Sequence, residues 1–194
     1  VEALICAIWF SPGVPAGKAR RLRFIKRRFG RRRIRVLTRP GFFFACDQTD
    51  WLQRNLLCNR IHEQEVTDHL AASFVGDDIF FDIGANAGYF SCLALSCGVR
   101  GVTAFEPDPD TCNVMDAQRR LNGWDDTALS IVPMGLSDES GRQQLIRGSD
   151  SGESGFGDWP HREPVDKIEV EVITLDEYCR QVGHYPSVMK IDVE

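Results

Sequence analysis

Apolar residues in this chain fall into short runs bounded by glycine, proline and acids, and the runs follow two different periods. Ile79-Phe80-Phe81-Asp82-Ile83 is a near-continuous apolar run carrying one acid, and it opens into Gly84-Ala85-Asn86-Ala87-Gly88. Such a run predicts a buried strand, the two glycines predict a tight turn, and Tyr89 to Cys97 predicts a helix capped by Gly98. A second strand follows from Gly101 to Phe105 and ends at Glu106. Asp108-Pro109 then reads as an N-cap with proline at the first helical position, and the helix runs to Leu121 before Asn122-Gly123 stops it. Ser130 to Val132 supplies a third strand. The order β-α-β-α-β from Ile79 requires a parallel sheet with right-handed crossovers.

On either side the pattern is looser. Ile34, Val36 and Leu37 face Phe42 to Phe44 across Pro40-Gly41, which predicts a small hairpin. Val66, Leu70 and Phe74 recur every four residues between His62 and Phe74, as on an amphipathic helix, and Gly76-Asp77-Asp78 ends it. Beyond the third strand, Asp138-Glu139-Ser140-Gly141 reads as a turn and the Ser/Gly/Asp-rich stretch from Gly148 to Asp158 as a loop. Ile168, Val170 and Val172 alternate with charges as on a half-exposed strand. Thr174-Leu175-Asp176-Glu177 is a capping-box sequence, so Asp176 and Glu177 are assigned to helix initiation rather than chemistry. Val188 to Glu194 reads as a buried strand ending in acids.

Composition narrows the classes only a little. With 43% hydrophobic and 26% charged residues, the 194-residue chain is globular and not fibrous or wholly disordered. Charge is distributed unevenly: residues 1–40 carry twelve Lys or Arg against Glu2 alone, whereas residues 41–194 carry eleven against twenty-seven acids. The expected organisation is therefore a basic arm over 1–40 and one domain over 41–194. Such an arm suits nucleic acid or an anionic surface, or it folds back on the acidic body. Seven cysteines without a C-x-x-C pair argue against a disulfide framework or zinc ribbon and fit reduced thiols in the cytoplasm. His62-Glu63 lacks the second histidine of a zinc helix, since Val66 stands there, and no metal is expected. Ala3 to Phe10 is too short an apolar run to span a bilayer.

The candidate chemistry lies where the first two strands end. Gly84 and Gly88 have the spacing G-x-x-x-G with Asp82 two residues ahead, unlike the G-x-G-x-x-G that cradles a pyrophosphate. A carboxylate at Asp82 would repel phosphates but suits a cationic or amine-bearing ligand. Glu106, about 20 residues beyond the glycines, stands where a ribose-binding acid belongs. S-adenosylmethionine meets these requirements: it has a sulfonium, an ammonium, a carboxylate and a ribose diol, and no phosphate.

Phe81-Asp82-Ile83-Gly84-Ala85-Asn86-Ala87-Gly88, Ala104-Phe105-Glu106-Pro107, Asn122-Gly123, Leu136-Ser137-Asp138 and Lys190-Ile191-Asp192-Val193-Glu194 together resemble the successive motifs of FkbM-type methyltransferases, from about Glu63 onward. The resemblance implies an α/β, Rossmann-like class I methyltransferase fold with a mostly parallel sheet. It also implies methyl transfer from S-adenosylmethionine to a hydroxyl oxygen of a sugar, polyketide or similar metabolite. By motif position it marks Asp82, Gly84, Asn86, Gly88 and Glu106 as cofactor contacts and Asp138 as a candidate for the adenine. Asp192 and Glu194, at the carboxyl end of the fourth core strand, become candidates to orient the acceptor hydroxyl or take its proton. Family members continue past this strand, so the sequence reads as a C-terminally truncated piece, incomplete there and weak or inactive alone. Two alternatives stay open: an RNA-binding protein or RNA methyltransferase using the basic arm, and a non-catalytic remnant. A dinucleotide oxidoreductase is disfavoured by the glycine spacing.

Overall fold

The structure, a computed structural model, describes residues 33–47, 50–148, 154–156 and 166–193. Most of the basic arm, much of the expected loop after Gly148, and Glu194 lie outside the described residues. The chain divides into two compact units, residues 1–62 and 63–194.

In the first unit, β1 (Arg33–Leu37) pairs antiparallel with β2 (Phe43–Asp47), forming the hairpin expected around Pro40-Gly41. Thr38 closes its turn: the Thr38 N–H and hydroxyl both donate to the Phe42 carbonyl, at 2.9 and 2.8 Å. A helix that the apolar pattern does not announce, α1 (Trp51–Asn59), follows, and Asp50 caps it by accepting from the Gln53 N–H at 2.8 Å.

The second unit opens with α2 (Gln64–Ser73). Its buried line is Thr67, Leu70 and Phe74, and Val66 is exposed. The expected face is thus turned by one residue, because the small Thr67 fits against the helix that begins at Tyr89, where its hydroxyl meets the Tyr89 hydroxyl at 3.4 Å. The central sheet consists of β3 (Ile79–Ile83), β4 (Gly101–Phe105), β5 (Leu129–Val132) and β10 (Val188–Ile191), all parallel, in the spatial order β10-β3-β4-β5. The crossovers are α3 (Tyr89–Ser96) and α4 (Pro109–Leu121), and α4 starts and stops where Asp108-Pro109 and Asn122-Gly123 predict. This is the Rossmann-like arrangement expected from the strand and helix order. Phe80, Phe81 and Phe105 are at most 1% exposed, and burial of each side chain contributes on the order of 2–3 kcal/mol. Both faces of β3 are covered, which explains why it reads as an apolar run and not an alternation.

A second sheet, absent from the sequence reading except for one strand, has the order β6-β9-β7-β8: β6 (Gly135–Leu136), β9 (Asp166–Ile173), β7 (Gly141–Arg147) and β8 (Gly155–Phe156). β6 runs parallel to β9, and the other pairs are antiparallel. Helix α5 (Leu175–Val182) then packs Cys179 and Tyr178 on Phe81 and Phe105. Thr174 caps it as predicted, accepting from the Glu177 N–H at 3.2 Å. The reciprocal half of the capping box is relayed: Ser140 donates its hydroxyl to the Glu177 carboxylate and accepts from the Thr174 N–H. One expectation is corrected here. The strand at Val188 is an edge with Met189 45% and Ile191 63% exposed, so it is not buried, because β3 is its one neighbour among the described residues.

Candidate functional site

Strand order locates the site before any side chain is considered. From β3 the chain winds through β4 to β5 on one side, then returns to lay β10 on the other side of β3. The crevice beyond the carboxyl ends of β3 and β10 is therefore the topological switch point, where open α/β sheets hold their ligands. Gly84 to Gly88 emerge from β3 at that edge, and Asp192 follows β10 there.

The loop's shape follows from its residue types. Gly84, Asn86 and Gly88 have φ values of 73°, 49° and 84°, a region that glycine enters without cost and asparagine tolerates. The Gly84 and Ala85 N–H groups both donate to the Phe105 carbonyl at 3.0 Å, folding the loop over the end of β4. A Cβ on Gly84 would lie 2.0 Å from the Asp192 carbonyl oxygen, so the absence of a side chain is what lets β10 come close. At Gly88 a Cβ would lie 2.5 Å from Met115 Cγ. Gly88 caps α3 with no side-chain hydrogen bond, so no side chain of the cap occupies the positive end of that helix.

Glu106 is brought directly against this loop. One carboxylate oxygen accepts from the Asn86 N–H and the other from the Asp108 N–H, each at 2.9 Å. Burial pushes its pKa up to about 7; the two N–H donors oppose the shift, and the nearby charges of Asp108 and Asp82 add to it. Cys112 stands behind it, donating its thiol to the Glu106 carbonyl, and burial pushes that thiol up to about 12.

Asp82 has a different setting. It is fully buried on the α3 face of the sheet, where one oxygen accepts the Ser91 hydroxyl at 2.7 Å. Lys190 is its cross-strand neighbour, and the ammonium lies 3.7 Å from the other oxygen, close enough for an ion pair but too far for a hydrogen bond. That second oxygen has no hydrogen-bond partner. Burial raises the Asp82 pKa, while Lys190 and Ser91 oppose the shift. Lys190 also reaches Asp192 at 3.1 Å and stands 5.0 Å from the Phe90 ring centroid. Asp82, Lys190 and Asp192 thus form one line of charge from the sheet interior to the exposed edge.

The candidate residues from the sequence are placed as follows. Gly84, Asn86, Gly88 and Glu106 form one loop surface; Asp82 lies beneath it, and Asp192 stands beside it, with its side chain 62% exposed. Asp138 is on the second sheet side, exposed, accepting the Ser137 hydroxyl at 3.1 Å. Glu194 is outside the described residues. Sequence reasoning gave Lys190 and Ser91 no role; their roles depend on the β10–β3 register and on the face that α3 presents.

The family described as "Methyltransferase FkbM domain" matches residues 82–194. No curated protein matches the sequence. Among solved structures, the chain is similar to an S-adenosylmethionine-dependent methyltransferase from Agrobacterium tumefaciens, with 9% identity and a TM-score of 0.40, covering 54% of this chain and 33% of that one. It is also similar to a tRNA m1G37 methyltransferase from M. jannaschii (17% identity, TM-score 0.40, covering 56% and 31%). A third is P. horikoshii TYW2 in complex with MeSAdo (16%, 0.41, covering 63% and 50%). The chain therefore spans 31–50% of the length of these structures. Among the described residues no helix is long and apolar enough to cross a membrane.

Proposed function

Because this chain belongs to the FkbM methyltransferase family, whose cofactor is S-adenosylmethionine, we propose that the carboxyl edge of its parallel sheet directs a methyl group from that cofactor to the hydroxyl oxygen of a small molecule, such as a sugar or polyketide. The observation that carries this reading is Glu106: each of its oxygens accepts one backbone N–H. About half of a carboxylate's roughly four acceptor positions thus remain for a ribose diol.

The remaining residues fit the same ligand. Gly84, Asn86 and Gly88 bare the loop backbone, and the N-terminus of α3 suits the cofactor's carboxylate. Asp82, held by Ser91 and Lys190, steadies the loop from below and leaves its backbone to meet the amino group. When bound, the sulfonium supplies an electrophilic methyl carbon and departs as a neutral thioether. Asp192, fixed by Lys190 at the same edge, orients the acceptor hydroxyl and stands ready for its proton, with Glu194 two residues on as the alternative carboxylate. In-line transfer depends first on that orientation.

Calorimetric titration with S-adenosylmethionine or its demethylated product tests the reading. Glu106→Ala should weaken binding by about 1–3 kcal/mol, and an unchanged affinity would reject the ribose contact. The twelve basic residues of 1–40 favour a second reading, RNA binding. That reading requires steeply salt-dependent RNA affinity that disappears when residues 1–39 are deleted. The described cysteines are thiols and not disulfides, which supports a cytoplasmic location.

A further inference from the structure

Arg147 lies at the end of β7 on the second sheet, yet its side chain crosses to the first turn of α4, beside the loop that carries Glu106. One guanidinium nitrogen is 2.5 Å from an Asp108 carboxylate oxygen and 3.2 Å from Asp110, and the other is 4.0 Å from Asp166. The arginine is 22% exposed, and its buried Nε has no hydrogen-bond partner. The same Asp108 oxygen accepts the Asp110 N–H at 2.9 Å as the cap of α4. Asp108 is therefore held on both sides. Its own N–H, in turn, donates to Glu106, whose second oxygen accepts from Asn86, and the Asn86 side chain accepts from the Ala87 N–H at 2.7 Å. A continuous line of contacts runs from Arg147 through Asp108 and Glu106 into the glycine loop.

We propose that Arg147 is a positioning residue for the cofactor ribose, acting through Asp108 to fix the Glu106 carboxylate in the orientation that accepts the diol. This rests on the reading of Glu106 as the ribose acceptor. The physical basis is pre-organisation. A carboxylate held by two backbone N–H groups points its remaining lone pairs in one direction only if those groups are themselves fixed, and the Asp108 peptide is fixed by its side chain's ion pair. A guanidinium suits the task because its rigid planar fork sets one nitrogen between Asp108 and Asp110 while the other faces Asp166, an orientation that a freely rotating ammonium does not fix. It also offsets the repulsion of two acids at adjoining positions of the α4 start.

The test is a double-mutant cycle read as affinity for S-adenosylhomocysteine by calorimetry at pH 8, above the value of about 7 to which burial pushes Glu106. Arg147→Met should weaken binding about tenfold, and Arg147→Lys, which keeps charge and packing and is therefore the safer variant to fold, about threefold. In a Glu106→Ala background neither change should weaken binding further, because the line they act through is already cut. Loss of general stability would instead reduce affinity equally in both backgrounds. The proposal is overturned if Glu106→Ala weakens binding while both Arg147 variants bind as wild type, or if the Arg147 and Glu106 losses multiply. Absence of binding by the wild-type chain, or equal binding by wild type and Glu106→Ala, would remove the ribose reading as well.

Discussion

Two buried acids that feel one another's charge illustrate how residue environment divides roles at this site. Glu106 is tied to backbone N–H groups at the ligand edge and titrates near 7 because burial outweighs those donors. Its proton is held more tightly folded than unfolded, so the stability it contributes is complete below about pH 4.5 and is lost as pH rises through 7. Ligand binding has the opposite sign, since a ribose diol donates to the ionised form. Affinity for S-adenosylhomocysteine should rise from pH 6 to pH 8, and Glu106→Gln should flatten that profile; a slope that persists in the variant would assign the titration elsewhere. Asp82 is kept in the interior by Lys190, its cross-strand neighbour, and by the Ser91 hydroxyl. Lys190→Met would leave it with no countercharge and should cost about 3–5 kcal/mol in urea unfolding, a loss largely recovered in Asp82→Asn/Lys190→Met. If the double variant were as unstable as the single, Lys190 would be acting by packing and not by charge.

At the scale of elements, the two loop glycines have different neighbours and should respond differently. Both carry positive φ, so alanine strains either one. At Gly84 the obstructing atom is the Asp192 backbone carbonyl, which cannot yield without displacing β10, whereas at Gly88 it is the flexible Met115 side chain. Gly84→Ala should therefore destabilise by about 3 kcal/mol or more and Gly88→Ala by about 1–2, measured by chemical denaturation; equal losses would mean that β10 moves freely. The loop itself was legible in the sequence because it is local: a strand, two glycines, a helix and an acid one strand later obey short-range rules. So were α4 and α5, whose caps Asp108 and Thr174 lie next to the helices they start. β7 was not legible. Gly141–Arg147 offers one deeply buried apolar side chain, Leu145, and its strand is set by β9, which pairs along its whole length from 19 or more residues away, with β8 on its other side. Lys190 and Arg147 escaped for the same reason, since their partners are set by strand register and by packing between sheets.

At the scale of the whole molecule, β10 is an open edge of the parallel sheet among the described residues. Met189 and Ile191 stand opposite Lys190 on the strand, in register with Phe81 and Ile83, the residues that α5 helps to cover. Whereas Phe81 and Ile83 are at most 3% exposed, Met189 and Ile191 are 45% and 63% exposed. An apolar edge strand with unpaired backbone groups is a template for pairing with another chain, and a single charge placed on such an edge is enough to discourage it. The 194-residue chain should accordingly self-associate with rising concentration, as seen by sedimentation velocity, and Ile191→Lys should shift it toward monomer with its S-adenosylhomocysteine affinity unchanged. Ile191 can bear that charge because its side chain leaves the sheet on the face away from Asp82, Lys190 and Glu106. A wild-type chain that stays monomeric at high concentration would show that the edge is already protected, and the ligand affinity of Ile191→Lys would then report whether β10 holds its register without that side chain.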